Sequence, residues 1–326
     1  MRSHLQRFKN LVVLIVLIGL AFNGVVFYHA YRMTHYSKAG RRTDRPEDLS
    51  RLRKTMVLVS GVTIPKPRNR QSPQDFNLPF QSFELDSTDG VRLHGWRIET
   101  REPKDIMIFF HGYAAAKDTM LGVAQYWYAK GWTCLVLDFR GSGDSQGRVT
   151  TLGVREALDV SAVWGWARDH YPKARLVGYG DSMGGVAMMN AIHEGFIKPH
   201  AVIAEKPFAR MLDTIRNRFR AMHVPGFPSA NLLTFWGGVQ LGYNGFRHNP
   251  VVYATAIECP TLLLHGENDP RVTVEAVRSI KHAIGTNATL HVFQGAKHES
   301  LLDYDLAQYE TVTSNWFARN VNVQTD

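Results

Sequence analysis

Cysteine is scarce in this sequence, and its two occurrences form no recognisable pattern. Only Cys134 and Cys259 occur among 326 residues, which is too few for a disulfide framework and offers no zinc-ligand spacing. Each lies in or beside an apolar run, so the sequence predicts two buried thiols and no metal site. Internal repeats and low-complexity tracts are also missing, and 27 glycines and 14 prolines are too few for a fibrous or disordered chain. The sequence is that of a globular protein with a sizeable core.

Excess basic charge is missing from most of the chain. The formal net charge is +9. Residues 1–73 contain 14 Lys or Arg and three acidic residues, a net +11, which leaves −2 for all that follows. A nucleic-acid-binding globule carries its basic surface on the folded part, where it can follow phosphates. We therefore expect no nucleic-acid partner.

Long apolar runs are missing except for one near the N-terminus, and a mean hydropathy of −0.21 excludes a polytopic membrane protein. Leu11–Tyr31 contains no Asp, Glu, Lys or Arg, and 17 of its 21 residues are apolar. A helix of this length reaches roughly 30 Å, the thickness of a bilayer's hydrocarbon core. The run predicts a transmembrane signal-anchor at 11–31 behind a basic N-terminus at 1–10. A signal peptide cleaved near Gly19-Leu20-Ala21 and a buried core helix are the alternatives.

The charges around this run leave its orientation open. Three basic residues precede it and five follow within 15–20 residues, which slightly favours a cytoplasmic catalytic part of a single-pass protein. Residues 32–79 are rich in proline and cations, so they predict a basic juxtamembrane linker. Such a linker lies near an anionic membrane surface or is simply solvated.

From residue 80 to the C-terminus the pattern predicts a single domain of class α/β. Two short strands around Asp89-Gly90 indicate an antiparallel hairpin. Further apolar runs alternate with helical patterns, and near-continuous apolarity indicates a parallel sheet that helices cover on both faces. The runs are Ile106–Phe110, Cys134–Phe139, Leu176–Tyr179, Ala201–Ala204, Thr261–Leu264 and Leu290–Phe293. The predicted helices are 119–130, 152–169, 183–194, 273–284 and 303–318. Residues of about 208–250 lack a strand pattern and predict a short cap over the carboxyl edge of the sheet, or else a peripheral helical excursion.

A candidate nucleophile lies at a strand-to-helix turn. Ser182 stands within Gly180-Asp181-Ser182-Met183-Gly184, after one predicted strand and before a predicted helix. A serine on so sharp a turn adopts a strained backbone conformation, and very small residues two positions before and after it avoid collision. The turn raises the hydroxyl above the sheet edge, beside the free amides of the helix N-terminus.

A serine hydroxyl needs a base, and the base needs an orienting carboxylate. His298 follows the last predicted strand and is the candidate base. Asp269 follows the preceding strand and is the candidate for the orienting carboxylate, with Glu267 and Glu205 as alternates. The chain order Ser, Asp, His is the one this architecture uses.

Acyl transfer also needs hydrogen-bond donors for the oxyanion of the tetrahedral intermediate. We expect the backbone amides of Met183, next to the nucleophile, and Tyr113, within His111-Gly112-Tyr113-Ala114 after a strand, to supply them. The glycine-containing stretch 138–147 fits neither the dinucleotide nor the phosphate-loop pattern, so it predicts a turn that supports the floor of the site.

Over residues 80–320 the chain resembles the α/β-hydrolase superfamily, in particular the serine-aminopeptidase-like branch of small serine hydrolases, which includes membrane-anchored acyl hydrolases. The motifs that carry the resemblance are His111-Gly112, Asp138 to Gly143, Gly180 to Gly185, Cys259-Pro260 through Asp269, and Gly295 to His298. The resemblance implies an eight-stranded, mostly parallel sheet, no cofactor, and the roles given above for Ser182, Asp269 and His298.

The first functional hypothesis is a membrane-anchored serine hydrolase that cleaves carboxylic esters or thioesters of small molecules or lipids through an acyl-enzyme. A peptidase or amidase of the same fold and a non-catalytic binding or scaffold protein are the alternatives. Asp181 beside the nucleophile suggests discrimination against anionic acyl groups. The sequence carries no indication of oligomeric state.

Overall fold

The computed structural model describes residues 2–321. Its helices are α1 (Arg2–Thr34), α2 (Arg51–Ser60), α3 (Leu121–Ala129), α4 (Glu156–His170), α5 (Met183–His193), α6 (Met211–Met222), α7 (Ser229–Leu241), α8 (Pro250–Tyr253), α9 (Val274–Ile284), α10 (Leu301–Tyr304) and α11 (Leu306–Asn320). Its strands are β1 (Gln81–Asp86), β2 (Arg92–Ile98), β3 (Asp105–Phe110), β4 (Thr133–Asp138), β5 (Arg175–Asp181), β6 (Ala201–Glu205), β7 (Thr261–Gly266) and β8 (Ala288–Phe293).

The strands form one eight-stranded sheet in the order β1-β2-β4-β3-β5-β6-β7-β8. Strand β2 runs antiparallel to β1 and β4, and every other neighbouring pair is parallel. This confirms the predicted hairpin and the predicted class. Helices cover both faces, as expected for parallel strands whose connections cross over the sheet.

The apolar runs became strands because both of their faces are buried. In β3, Ile106, Ile108 and Phe110 belong to the core layer on one side of the sheet, whereas Met107 and Phe109 belong to the layer on the other side. Side chains of a strand alternate between faces, so five consecutive apolar residues fill two layers at once. Parallel strands end at one edge of the sheet, which places the loops after β3, β5, β7 and β8 side by side.

Two departures from the predicted helices have local causes. The helix predicted over 303–318 is two helices, because Asp305 has extended backbone angles and its carboxylate accepts a hydrogen bond from the Gln308 amide at 2.9 Å, which starts α11. Helix α2 was not predicted. It begins after Ser50, whose hydroxyl accepts from the Arg53 amide, and ends at Gly61.

Helix α1 is longer than the apolar run that predicted it, and its two ends differ. Residues 4–22 are exposed around the whole helix. In the C-terminal part, Val26, Ala30 and Thr34 are buried, at 6%, 2% and 3% exposure, and form a stripe four residues apart. The helix is long and apolar enough to cross a membrane, with a mean hydropathy of 2.6 in its most apolar window.

The segment predicted as a linker, residues 32–79, packs on the rest of the chain. Arg32 on α1 donates to the Val62 carbonyl at 2.8 Å, and Lys54 on α2 donates to the Ala221 carbonyl at the end of α6 at 2.7 Å. The segment is therefore folded against both α1 and the insert that follows β6, because its polar groups have specific acceptors there.

The two thiols differ in burial. Cys134 in β4 is fully buried, as predicted, and burial raises the pKa of its thiol well above the usual range. Cys259 is only half-buried, because it lies in the loop before β7 and not within a strand. Burial raises the pKa of the Cys259 thiol to about 11.

Candidate active site

Ser182 lies between β5 and α5 in a strained conformation. Its backbone angles are φ 48° and ψ −110°, a region that non-glycine residues rarely occupy. The turn closes only because the flanking residues have no side chain. A Cβ on Gly180 would lie 2.3 Å from the Gly185 nitrogen, and one on Gly184 would lie 2.1 Å from the Phe110 carbonyl oxygen. A hydrogen bond stabilises this strained conformation: the Ser182 amide donates to the Glu205 carbonyl of the neighbouring strand at 2.7 Å.

His298 and Asp269 form a hydrogen-bonded pair at the same edge of the sheet. The distance between His298 Nδ1 and Asp269 Oδ2 is 2.5 Å. The other oxygen of Asp269 accepts from the amides of Arg271 at 2.8 Å and Val272 at 3.1 Å. Ser182 and His298 line one cavity, while the Asp269 side chain lies behind the imidazole with no exposure. The three residues predicted from the sequence are thus brought together by the ends of β5, β7 and β8.

The surroundings of Asp269 keep its carboxyl ionised. Burial alone raises the pKa of a carboxyl, but the hydrogen bond and charge of His298 and the two amide donors outweigh it, so the pKa of Asp269 lies below its usual value. An ionised Asp269 accepts the Nδ1 proton of His298, which leaves Nε2 as the nitrogen that can take a proton.

The two alternate carboxylates have other partners. Glu267 accepts from the Gly295 amide at 3.0 Å. Glu205 accepts from the Tyr179 hydroxyl at 2.7 Å and the Leu301 amide at 2.9 Å, and its side chain is buried. Neither orients His298. Glu205 instead ties β5 and the start of α10 to the end of β6.

Residues 111–115, here called the oxyanion loop, lie directly beside Ser182. A Cβ on Gly112 would lie 3.6 Å from the Ser182 Cβ. Among the residues that the structure describes, the Tyr113 amide has no hydrogen-bond acceptor. Met183 is the first residue of α5, where amides have no acceptor within the helix. Both amides are therefore available to a ligand oxygen near Ser182.

The N-terminal segment holds the oxyanion loop, which sequence reasoning missed. Ala114 has a positive φ of 53°. Its amide donates to the Tyr36 hydroxyl at 3.2 Å, and its carbonyl accepts from Arg42 Nη1 at 2.9 Å. The Tyr113 hydroxyl donates to the Met33 carbonyl at the end of α1, and burial raises the pKa of Tyr113 to about 12, so it stays a donor. No local pattern links positions this far apart in sequence.

Asp181 is ion-paired, which weakens its predicted effect on anionic acyl groups. Lys206, buried and at a positive φ of 52°, places Nζ 3.0 Å from Asp181 Oδ1 and 3.0 Å from Glu205 Oε1. Burial lowers the pKa of a lysine, but these two carboxylates outweigh it and raise the pKa of Lys206. Lys206 also lines the cavity. The sequence signal was its position directly after β6.

Buried ion pairs support the site from below. Lys117 pairs with Asp138 at 2.5 Å, and Arg140 pairs with Asp159 at 2.6 Å and with Asp89 at 2.6 Å. The charged groups of the 138–147 turn are thus engaged within the fold, as expected for a supporting turn. His111 is also structural, since Nδ1 lies 2.8 Å from the Gly112 carbonyl and Nε2 accepts from the Phe139 amide.

The cavity has a volume of about 830 Å³. The loops after β3, β5, β7 and β8 are here called the floor of the cavity. Helices α1, α2, α6 and α7 are called its roof. The roof supplies mostly apolar side chains. They include Val26, Met33, Val57, Leu58, Phe219 and Leu233. Such a space suits a ligand of drug size or larger with an extended apolar part.

Sheet order, strained serine turn and the arrangement of the loops define the class of this protein: the chain has the α/β-hydrolase fold. A family model described as serine aminopeptidase, S33 matches residues 101–225. The fold is similar to that of the esterase Pf2001 of Pyrococcus furiosus, with a TM-score of 0.68, 23% identity, and coverage of 79% of this chain and 97% of the esterase.

Two relatives are similar over most of the chain. The uncharacterized protein YqkD of Bacillus subtilis is 22% identical over 329 residues, which cover 100% of both chains. The lysophosphatidylserine lipase ABHD12 of Danio rerio is 22% identical over 280 residues, which cover 76% of this chain and 71% of the lipase.

Proposed function

We propose that this protein is a serine hydrolase that cleaves carboxylic esters, or thioesters, through an acyl-enzyme and is attached to a membrane by α1. The observation that carries the proposal is the strained Ser182 in one cavity with a His298 that is hydrogen-bonded to Asp269 at 2.5 Å. Strain at a serine between a strand and a helix is costly and persists where the surrounding fold enforces it.

In the proposed reaction, His298 Nε2 takes the Ser182 proton as Oγ bonds to the substrate carbonyl carbon. The oxygen of that carbonyl becomes an oxyanion, which accepts from the amides of Tyr113 and Met183. His298 then gives the proton to the leaving alcohol as the ester bond breaks. Water attacks the acyl-enzyme in the same way and releases the acid. Asp269 holds the imidazole tautomer throughout and stabilises the imidazolium.

Attachment through α1 is supported by its length and its exposed apolar residues. At 1.5 Å per residue, 33 residues extend about 50 Å, which exceeds the roughly 30 Å of a bilayer's hydrocarbon core. About 20 residues suffice to span it, and the remainder is the part that packs on the domain. Carbonate extraction of membranes tests the attachment. If α1 spans the membrane, the full chain stays in the membrane pellet.

The chemistry of the cavity favours esters of lipids. The roof of the cavity is mostly apolar. Three arginines, Arg42, Arg218 and Arg271, also line the cavity. The similarity to a lysophosphatidylserine lipase makes anionic monoacyl phospholipids one substrate class to include in assays. Ester hydrolysis is proposed over amide hydrolysis, and matched p-nitrophenyl esters and p-nitroanilides of one acyl group compare the two.

The decisive experiment is labelling with a fluorophosphonate probe, followed by rates on p-nitrophenyl esters. We expect the wild type to be labelled at Ser182 and Ser182→Ala to be unlabelled, with kcat lower by a factor on the order of 10⁴ to 10⁶. A Ser142→Ala variant, which changes a buried serine of the supporting turn, is the matched control. Equal ester turnover by the wild type and Ser182→Ala would contradict the proposal.

A further inference from the structure

The inward face of α1 forms part of the cavity. The α1 residues that line it recur every three or four positions, so they share one face of the helix. They are Phe22, Val25, Val26, His29, Ala30, Met33 and Thr34. All but His29 and Thr34 are apolar. One helix thus contributes a mostly apolar strip to the space above Ser182.

Specific contacts on both sides fix α1 in the roof. Toward α7, the rings of Phe27 and Trp236 meet edge-to-face with centroids 5.3 Å apart, and Gln240 donates to the Phe27 carbonyl at 2.8 Å. Toward α2, His29 Nε2 lies 3.0 Å from the Leu58 carbonyl. The helix therefore lies between α7 and α2, and its third face covers the cavity.

The strip continues into the exposed half of the helix. Phe22 and Val25 line the cavity, yet each is 39% exposed. The cavity therefore opens beside α1, at the level where the helix leaves the domain. The exposed half, over residues 4–21, is the part that we propose to lie in the bilayer. A group in the bilayer next to α1 is thus in line with the mouth of the cavity.

The two helices that pack on α1 also carry exposed apolar side chains. On α2 they are Leu52, Met56 and Val59, and on α7 they are Phe235 and Val239. Exposed apolar residues grouped in this way mark a surface that meets a partner or a membrane. The same helix α2 begins with Arg51 and Arg53, and cations beside apolar residues suit the interface of an anionic leaflet.

We infer that the substrate is a long-chain acyl ester drawn from the bilayer, and that its acyl chain lies along α1 while Ser182 cleaves the ester. The inference rests on the proposed esterase function and deepens it. Helix α1 is then both the membrane attachment and a wall of the acyl-chain site, so its inward residues determine which chain lengths are accepted. Val26, at 6% exposure, lies at the centre of this wall.

The same substitution at two positions of one helix tests the inference. Val26→Trp adds an indole to the wall, whereas Val13→Trp, at a position that is 56% exposed, adds it outside the domain. The full chain is assayed in detergent micelles with p-nitrophenyl acetate and p-nitrophenyl palmitate. We expect Val26→Trp to lower the palmitate-to-acetate ratio of kcat/KM by about tenfold or more, because the indole fills space that a long acyl chain needs and an acetyl group does not. A volume of a methylene or more in an apolar pocket is worth about tenfold or more, and Val13→Trp should leave the ratio unchanged. An unchanged ratio in Val26→Trp would overturn the inference.

A second measurement uses the wild type and needs no variant to fold. An alkyl fluorophosphonate with a diazirine on its long chain is attached to Ser182 and irradiated, and cross-linked peptides are mapped. We expect cross-links within residues 22–33. Cross-links confined to other segments, with Ser182 labelled, would refute the acyl wall and leave the esterase proposal standing. Absence of Ser182 labelling in the wild type would refute the esterase proposal itself and the inference with it.

Discussion

The floor and the roof of the cavity are built in opposite ways. The floor consists of short turns packed so tightly that a Cβ on Gly184 would lie 2.1 Å from a carbonyl oxygen, and buried ion pairs support it. The roof consists of helices that carry large apolar side chains, several of them exposed. In the proposed function, the comparison separates two tasks: the floor fixes which bond is attacked, and the roof determines which substrates can bind. Changes to the floor should therefore affect kcat, and changes to the roof should affect substrate range.

The strongest test of the floor is Asp269→Asn. The variant loses the charge that orients His298, so we expect kcat on short esters to fall by a factor on the order of 10⁴ with KM little changed. Glu267→Gln, two residues earlier, removes a carboxylate that accepts from Gly295 instead and serves as the control. A loss of tenfold or less in Asp269→Asn would move the orienting role to another residue.

The attachment of the insert to the core is tested by pH. His248 lies near the C-terminal end of the insert, with Nδ1 3.0 Å from the Tyr253 hydroxyl and Nε2 3.0 Å from the Leu152 carbonyl. Burial lowers its pKa from 6.5 to about 4. Between these values the unfolded chain binds a proton that the folded one does not, so stability falls as pH drops through this window, by about 3 kcal/mol in total.

Unfolding in detergent measured from pH 7 to pH 4 checks this expectation. His248→Asn should lose less stability across the window than the wild type. His282→Asn, at an exposed position of α9, should follow the wild type. Identical pH dependence in all three proteins would show that His248 does not couple the insert to the core.

A single methyl group tests how closely the floor is packed. Gly184→Ala forces α5 and the end of β3 apart, which displaces Ser182 and the Met183 amide. We expect kcat to fall by about 10²-fold, the effect of a misplacement near 1 Å. Gly165→Ala adds the same methyl on α4 with nothing within 4 Å, and should leave kcat unchanged. Equal kcat values in the two variants would mean that the floor accommodates the added methyl group without displacing Ser182.

The smallest expected effect lies where roof and floor meet. Tyr36→Phe removes the hydroxyl that accepts from the Ala114 amide at 3.2 Å. One lost hydrogen bond costs roughly 1 kcal/mol, so we expect about a fivefold to tenfold decrease in kcat on short esters. Tyr31→Phe, exposed on α1, is the matched control. An increase in KM alone would assign Tyr36 to substrate binding and not to the oxyanion loop.

The floor could be predicted from the sequence because its signals are local. Strand length, burial and the glycines around Ser182 are read from adjacent residues, and the positions of Asp269 and His298 follow from parallel strands that end at one edge. The roof could not be predicted in this way. The contact between Tyr36 and Ala114 joins residues 78 positions apart. Helix α2 lies in a segment whose composition is that of a linker. Its packing partners come from α1 and α6, which are distant in sequence, so no local pattern predicts the helix.

The continuity of α1 also limits where this protein can work. In the proposed attachment, the membrane-spanning part and the part that packs on the domain belong to one continuous helix, α1. A protease that released the domain by cutting at the membrane surface would remove part of the acyl wall in the same cut, so a shed form would not retain long-chain selectivity. Under the proposed attachment, the domain also does not reach esters in a facing membrane. Its search for substrate is then confined to the plane of the membrane that α1 enters.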